Sequence, residues 1–308
     1  MTPKKPLPNH PPIRRAPWRG DRRLVTAVPY GWLIVFFMIP FLLVFKISLS
    51  ESTLAVPPYL PLLEWTQTGV MNIRLNIGNY LRLLLDPFYA SGLLASLSIA
   101  FIATLCCLVL GYSIAYGITR LPQRWRYIFL LLIILPFWTS FLVRVYAWMG
   151  ILSKDGLLNQ LLLYLGIIAE PKQFLYNNFS VMVGIVYCYL PFMILPIYSV
   201  LEKIDDSYLE AAYDLGCSPW RAFWRVTFPL SLPGMWSGIA LVFIPALGEF
   251  VIPELLGAPD NLMIGRIIWI EFFNNRDWPI AATVAVVMLL MFIVPIMVLQ
   301  RRQLRRRG

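Results

Sequence analysis

The chain reads as an all-α protein that crosses a membrane six times. Three observations lead there. First, 59% of its 308 residues are hydrophobic and only 14% are charged, where a soluble domain carries about 25% charged residues. Second, the apolar residues fall in blocks long enough to cross a bilayer, which takes about 20 residues as helix. Third, Lys and Arg gather in alternate connections between those blocks.

The blocks are 28–49, 92–119, 127–152, 179–201, 234–257 and 278–299. Only helices and closed barrels satisfy their backbone polar groups in lipid. These blocks are continuous rather than alternating, which favours helices over barrel strands. The first lies well inside the chain, is long, and lacks a small-residue cleavage site, so it is read as a retained span rather than a signal peptide. The organisation expected is a tail at 1–27, a first span at 28–49, an external loop at 50–91, a five-helix core at 92–299 and a basic tail at 300–308. Residues 1–23 are rich in Pro and basic residues and are expected to be disordered. Pro57-Pro58, Pro61, Trp65 and Asp86-Pro87 suggest local order in the 50–91 loop rather than a domain.

Basic residues set the orientation. Lys4, Lys5, Arg14, Arg15, Arg19, Arg22 and Arg23 precede the first block, and Arg120, Arg124 and Arg126 fill a short loop. Lys203, Arg221 and Arg225 lie in the 203–233 loop, and Arg301, Arg302, Arg305, Arg306 and Arg307 end the chain. With six helices all four segments share one side, and the positive-inside rule makes it the cytoplasm. The formal charge of +10 is then a topology signal, and basic flanks of spans explain it without nucleic acid.

Several chemistries are disfavoured. Cys106, Cys107 and Cys188 fall in spans and Cys217 in a cytoplasmic loop, so a disulfide framework is not expected. The single His10 has no second His or Cys-x-x-Cys to build a zinc site. There is no Gly-Lys-Ser/Thr to cradle ATP phosphates. Catalysis by this chain alone is therefore not expected, and no cofactor is assigned to it.

The 203–233 loop carries the strongest motif. Ser207-Tyr-Leu-Glu210 fits a capping box, with Ser207 and Glu210 exchanging bonds with each other's backbone N–H. A short helix is expected over 208–215. Gly216 suits the left-handed position past its end, where a Cβ would clash. Ser218-Pro219 then reads as an N-cap and first helical residue. Helix, sharp turn, helix makes a compact knob. Read alone, Glu210 only caps and Gly216 only turns.

Glu210-Ala211-Ala212, then Gly216, then nine residues to Val226-Thr-Phe228-Pro229, resembles the Glu-Ala-Ala loop of ABC importer permeases, with Val226 and Phe228 standing where that pattern has Ile and Leu. Further stretches resemble the putrescine and spermidine importer permeases. They are Pro136–Leu152, Pro245–Gly257 and Phe272–Pro279. The resemblance runs from the first span to the last, and is nearest to the first permease of the putrescine system. It implies a type I importer permease in the bacterial inner membrane, paired with a second permease. It further implies two ATPase subunits, which hold ATP and Mg, and a periplasmic binding protein that delivers the solute. Glu210, Ala211, Ala212, Gly216, Val226, Phe228 and Pro229 would then couple this chain to the ATPase.

Charged groups within spans are costly, about 2.5 to 3.5 kcal/mol at the centre, and mark function by default. Glu249 is read within the fifth span and Glu254 nearer its outer end, with Pro253 between. Either carboxylate meets a cationic solute, or pairs with Arg144 in the third span. Trp138, Tyr146, Trp148, Tyr187 and Tyr189 are further candidates, because aromatic faces attract ammonium groups. Equally, Trp and Tyr anchor spans at membrane interfaces. Pro136, Pro191 and Pro196 are expected to bend their helices.

Two other readings stay open. One is a permease of the same class for thiamine, iron or sulfate, since the binding protein usually selects the solute. The other is an ion-coupled secondary transporter, a class that often shows paired inverted repeats and intramembrane ion ligands. A membrane-bound enzyme ranks below both, because no nucleophile, metal or phosphate constellation appears.

Overall fold

The computed structural model describes residues 22–65, 71–260 and 262–307. His10 and most of the basic N-terminal tail lie outside the described residues. The chain divides into two units, Met1–Lys46 and Ile47–Gly308.

In the first unit the helix α1 starts at Arg22, so helix replaces the disorder expected for Arg22 and Arg23. It runs as Arg22–Leu33, a π turn at Ile34–Met38, and Ile39–Ser48. Its span Thr26–Ser48 is apolar enough to cross a membrane. Large side chains such as Trp32, Phe36 and Leu43 are exposed all round it. A helix that is apolar on every face is suited to lipid.

The second unit leads into the 50–91 loop, which carries local structure. Leu63–Trp65 (β1) and Met71–Ile73 (β2) pair antiparallel, with Leu63 opposite Ile73. The fold is thus helical with one small hairpin, a departure from a strictly all-α chain. The helix α2 (Gly78–Leu85) follows. Next comes α3 (Pro87–Thr119), which starts before the expected residue 92 because Asp86 caps it, accepting from the Phe88 N–H at 2.9 Å, with Pro87 in the first turn.

The core of this unit is α3 packed with α7 (Asn178–Leu201) and α10 (Phe228–Leu247). Small residues explain the packing. Gly92, Ser96, Ala100, Ala103, Cys107, Gly111 and Ala115 are buried along one seam of α3. In lipid, helices associate by close packing at such seams rather than by the hydrophobic effect. Met193 of α7 fills the gap between Gly111 of α3 and Gly238 of α10. A Cβ at Gly111 would sit 2.8 Å from Met193 Cγ, and one at Gly238 2.7 Å from its Sδ. Pro191 and Pro196 both lie inside α7, which stays helical through them.

The third apolar block is not one straight helix. α4 (Gln123–Ile134) tightens into a 3-10 turn at Leu135–Trp138. A bend of 93° separates Gln123–Trp138 from Phe141–Tyr164. α5 (Phe141–Leu152) and α6 (Leu157–Tyr164) lie beyond it. Pro136 begins the tight turn and Ser140 is extended, which together stop α4. The bend expected at Pro136 is therefore a break.

The fifth block also differs. α8 (Ser207–Asp214) and α9 (Pro219–Ala222) form the knob. α9 continues through a π turn at Phe223–Thr227 into α10, so Pro219–Leu247 is one apolar helix of 29 residues. It ends at Gly248, short of the expected residue 257. A separate helix α11 (Val251–Leu256) follows. The sequence pattern missed this break because apolar residues continue on both sides of it. α12 (Ile264–Trp269) and a π turn at Ile270–Asn274 lead to α13 (Trp278–Arg307), whose helix runs on through the predicted basic tail. Among the described residues its apolar part covers Trp278–Ile293, and the sequence stays apolar to Leu299. Among the described residues, four helices are long and apolar enough to cross a membrane, or five with the bent pair taken as one.

Candidate functional site

The knob closes by a recognisable set of bonds. The Gly216 N–H donates to the Tyr213 carbonyl and the Cys217 N–H to the Ala212 carbonyl, each at 2.9 Å. Gly216 has φ +78°. These are the two bonds and the left-handed residue of a Schellman end. Its usual apolar contact is present, since Cys217 and Val226 pack against buried Leu209, Ala212 and Ala222. Ala212 and Val226 thus belong to a miniature core that fixes α8 against α9.

The predicted capping box is not what starts α8. Ser207 is the first helical residue rather than the N-cap, and the N-cap, Asp206, makes no side-chain cap bond. Asp205 does the work instead, accepting from the Ser207 N–H at 2.9 Å. That backbone bond, with a further side-chain bond from Ser207, holds the Asp205 carboxyl below its usual value. Glu210 and Ala211 face outward from the knob. Exposed around them are Tyr208, Tyr213, Leu215 and Trp220. Phe228 is half-buried in an aromatic group, with ring centres 4.9 Å from Trp224 and 6.0 Å from Tyr112. Pro229 follows directly on the π turn, inside the continuous helix Pro219–Leu247, where it removes one backbone donor.

A polar cleft lies beneath the knob, lined by Arg120, Arg126, Glu202, Asp206 and Thr227. Sequence reading did not single it out, because its residues come from four separate segments.

Glu249 is not inside a helix. It sits in the break between α10 and α11 and is 8% exposed. Its Oε1 accepts from the N–H groups of Phe250, Val251 and Ile252 at 3.2, 3.1 and 3.4 Å. Pro253 has no N–H, and Glu254 N–H already reaches the Phe250 carbonyl at 3.0 Å. The first turn of α11 therefore has every donor accounted for. The other oxygen, Oε2, accepts from the Tyr189 hydroxyl at 2.5 Å. Arg144 is not its ion-pair partner. The Arg144 guanidinium lies 4.9 Å from the Phe137 ring centre and 5.7 Å from that of Phe141.

Glu254 is held elsewhere, 2.6 Å from Arg266 Nε. That N–H is not aimed at the carboxylate, so the contact is ionic rather than an aligned hydrogen bond. Glu249 and Glu254 do not share a helix, because only Glu254 is helical.

Trp148 and Tyr187 meet edge to face at 5.4 Å, and Tyr189 lies 6.1 Å from Phe192. Two contacts here are separate, Trp148 with Tyr187 between α5 and α7 and Tyr189 with Glu249 between α7 and the break after α10. Two positions apart on α7, Tyr187 and Tyr189 do not face each other. Trp138 and Tyr146 are not gathered with them and stay 78% and 53% exposed. A second buried acid was missed in the sequence. Glu271 accepts from the Tyr89 hydroxyl and from Asn275 Nδ2, each at 2.9 Å. The spacing Glu271-x-x-x-Asn275 on a helical turn was the available signal.

Residues 107–307 match the family described as binding-protein-dependent transport system inner membrane component. The chain belongs to this family of ABC permeases, which are transport components rather than enzymes, and it is a multi-pass inner-membrane protein. It is 42% identical over 275 residues to the spermidine/putrescine transport system permease protein PotB of Escherichia coli (strain K12), covering 88% of this chain and 94% of that one. It is 37% identical to the PotB protein of Haemophilus influenzae, over 86% of this chain and 88% of the relative. The inner membrane ABC transporter permease protein YdcU of E. coli is 30% identical over 67% of this chain and 70% of its own length. Among solved structures, a bacterial ABC transporter that imports the acidic polysaccharide alginate has the same fold. Its TM-score is 0.64 at 15% identity, covering 93% of this chain and 96% of that one.

Proposed function

We propose that this chain is one permease subunit of an ATP-driven importer of putrescine or spermidine. The observation that carries the reading is the 42% identity to a spermidine/putrescine permease over nearly the full length of both chains. The chain pairs with a second, similar permease. Two copies of a partner ATPase hold ATP and Mg, and a periplasmic binding protein supplies the solute. Six spans leave both termini in the cytoplasm. The bent pair at Gln123–Tyr164 counts as the third span and α13 as the sixth, in keeping with the basic residues that flank them.

The knob enters a groove on the ATPase. Glu210, Ala211 and Gly216 present outward, while Ala212, Val226, Phe228 and Pro229 hold its shape. The solute path runs beside Trp148, Tyr187 and Tyr189, whose rings suit a flexible chain of ammonium groups. The oxygens of Glu249 are committed to the protein, so it acts on the path by fixing the break and aiming Tyr189. The ion pair with Arg266 accounts for Glu254, and exposure to lipid or to the second permease accounts for Trp138 and Tyr146.

The test is uptake by vesicles containing both permeases, the ATPase and the binding protein. ATP-dependent accumulation of labelled putrescine or spermidine is expected. Uptake driven by a proton or sodium gradient without ATP would overturn the importer reading, and ATP-dependent uptake restricted to an unrelated solute would overturn the polyamine assignment. For the topology, a reporter active only in the cytoplasm is expected to work when fused after Leu304 and to be silent after Gly166.

A further inference from the structure

The helix α2 has a face that none of the described residues covers. Leu81, Leu84 and Leu85 are exposed at 56%, 74% and 79%, and Ile77 just before the helix is exposed as well. At 100° per residue these four share one side of the helix. The opposite side is tied down. Asn79 Nδ2 donates to the carbonyls of Ser48 and Ser50 at 3.0 and 2.9 Å, and the Tyr80 hydroxyl meets Ser48 Oγ at 2.6 Å. Leu83 packs on buried Tyr89, Ile264 and Val284. The exposed leucines are thus a fixed feature of a held helix, not the side chains of a loose loop.

Depth decides what covers them. Only Asp86 separates α2 from Pro87, the first residue of the long apolar helix α3. The face therefore lies at the end of a helix long and apolar enough to cross a membrane. An amphipathic helix at this level lies in the interface, with its apolar side sunk toward the acyl chains. Arg82, on the flank of the same helix, is 59% exposed and contacts Asp277 loosely at 3.8 Å. It remains open to a phosphate.

Beneath α2 runs an open apolar groove. Leu84, Ala90, Leu93, Val284, Val287 and Met288 line it, from α2, α3 and α13. It continues onto the exposed apolar side of α3 at Leu94 and Phe101. We propose that α2 and this groove form a binding site for one phospholipid of the outer leaflet. The acyl chain fills the groove, the headgroup phosphate meets Arg82, and Leu81, Leu84 and Leu85 lie among neighbouring chains. The inference is independent of which solute is carried.

The experiment uses the full transporter complex. The four native cysteines are replaced by Ser, and Leu84→Cys or Arg82→Cys is labelled with bimane. The complex is then reconstituted in phosphatidylethanolamine and phosphatidylglycerol brominated at shallow chain positions. The label at 84 is expected to be quenched by bromine and shielded from aqueous iodide, and the label at 82 to show the opposite bias. A label at 84 quenched by iodide would put the face in water. A label quenched by neither would put it against the second permease. Either result overturns the proposal. In a second arm, Ala90→Phe and the milder Ala90→Leu fill the groove. Native mass spectrometry of the intact complex is expected to count one retained phospholipid fewer than for the parent. An unchanged count in an assembled variant would overturn the groove as a lipid site.

Discussion

Tyr189 and Glu249 are joined by a hydrogen bond of 2.5 Å, and the oxygen that Tyr189 leaves free closes three backbone N–H groups of α11. One carboxylate thus ties α7 to the turn that follows α10. Its geometry therefore bears on how the break after α10 is held against α7.

This pair makes a graded prediction. Glu249→Gln keeps an acceptor for the turn of α11, so the complex is expected to assemble while uptake per complex falls. Glu249→Ala removes the cap and strands Tyr189. Losing a cap costs about 0.5–2 kcal/mol, and an unmet buried donor adds roughly 1–3 kcal/mol. The yield of assembled complex is expected to drop, read by size-exclusion chromatography in detergent. Equal yields for Gln and Ala would contradict the capping role.

Gly216 offers a test with a built-in control. A Cβ there meets nothing within 4 Å, yet φ is +78°. Any loss on substitution is therefore backbone strain, about 1–2 kcal/mol for an ordinary residue in the left-handed region. Gly216→Val is expected to insert normally and to uncouple ATP hydrolysis from uptake. Gly216→Asn is expected to retain most uptake, because Asn visits that region readily. If Val and Asn behave alike, the turn is not what couples.

Met193 between two glycines predicts a compensated pair. Gly111→Ala forces Met193 aside, and overpacking of a tight core costs roughly 1–3 kcal/mol. Adding Met193→Ala makes room for the new methyl group. The double variant is expected to be more heat-stable than the sum of the single losses implies, measured as a double-mutant cycle. Strict additivity would count against the contact.

Asp205 predicts a pH effect at the knob. Its folded value is depressed by the Ser207 bonds, so its contribution is present above the ordinary carboxylate value and is lost as pH falls through the folded one. Asp205→Asn is expected to blunt the acid-side loss of knob order, read by hydrogen exchange across residues 207–214. An unchanged acid profile would remove Asp205 as the start of α8.

Much of the knob was legible from sequence because its signals are local. A glycine past a helix end and Ser218-Pro219 act within a few residues, and both appear where expected. Asp205 was overlooked because Ser207-x-x-Glu210 offered an equally local alternative, and only the backbone angle at Asp206 decides between them. Breaks inside apolar runs were harder to see. The run from Ser237 to Gly257 is apolar on both sides of Gly248-Glu249, and hydropathy cannot tell a buried turn from a buried helix. What marks the break is a self-sufficient cap, Glu249 four residues ahead of Pro253. The partners of Arg144 and Glu254 depended on which segments fold together, so like charge and opposite charge along the chain gave no guide.

The unbroken passage from α9 into α10 has a mechanical consequence. No break in helix separates the knob from α10, because the π turn keeps Pro219–Leu247 helical over 29 residues. At 1.5 Å per residue that is a rod of roughly 43 Å. Pivoted near its middle, a tilt of about 5° displaces each end by roughly 2 Å in opposite directions. Trp220 rides at one end of this lever, and the Gly248-Glu249 break lies at the other. If the knob is the coupling element proposed above, a nudge received at the Trp220 end would be delivered, reversed in direction, to the turn that Tyr189 holds.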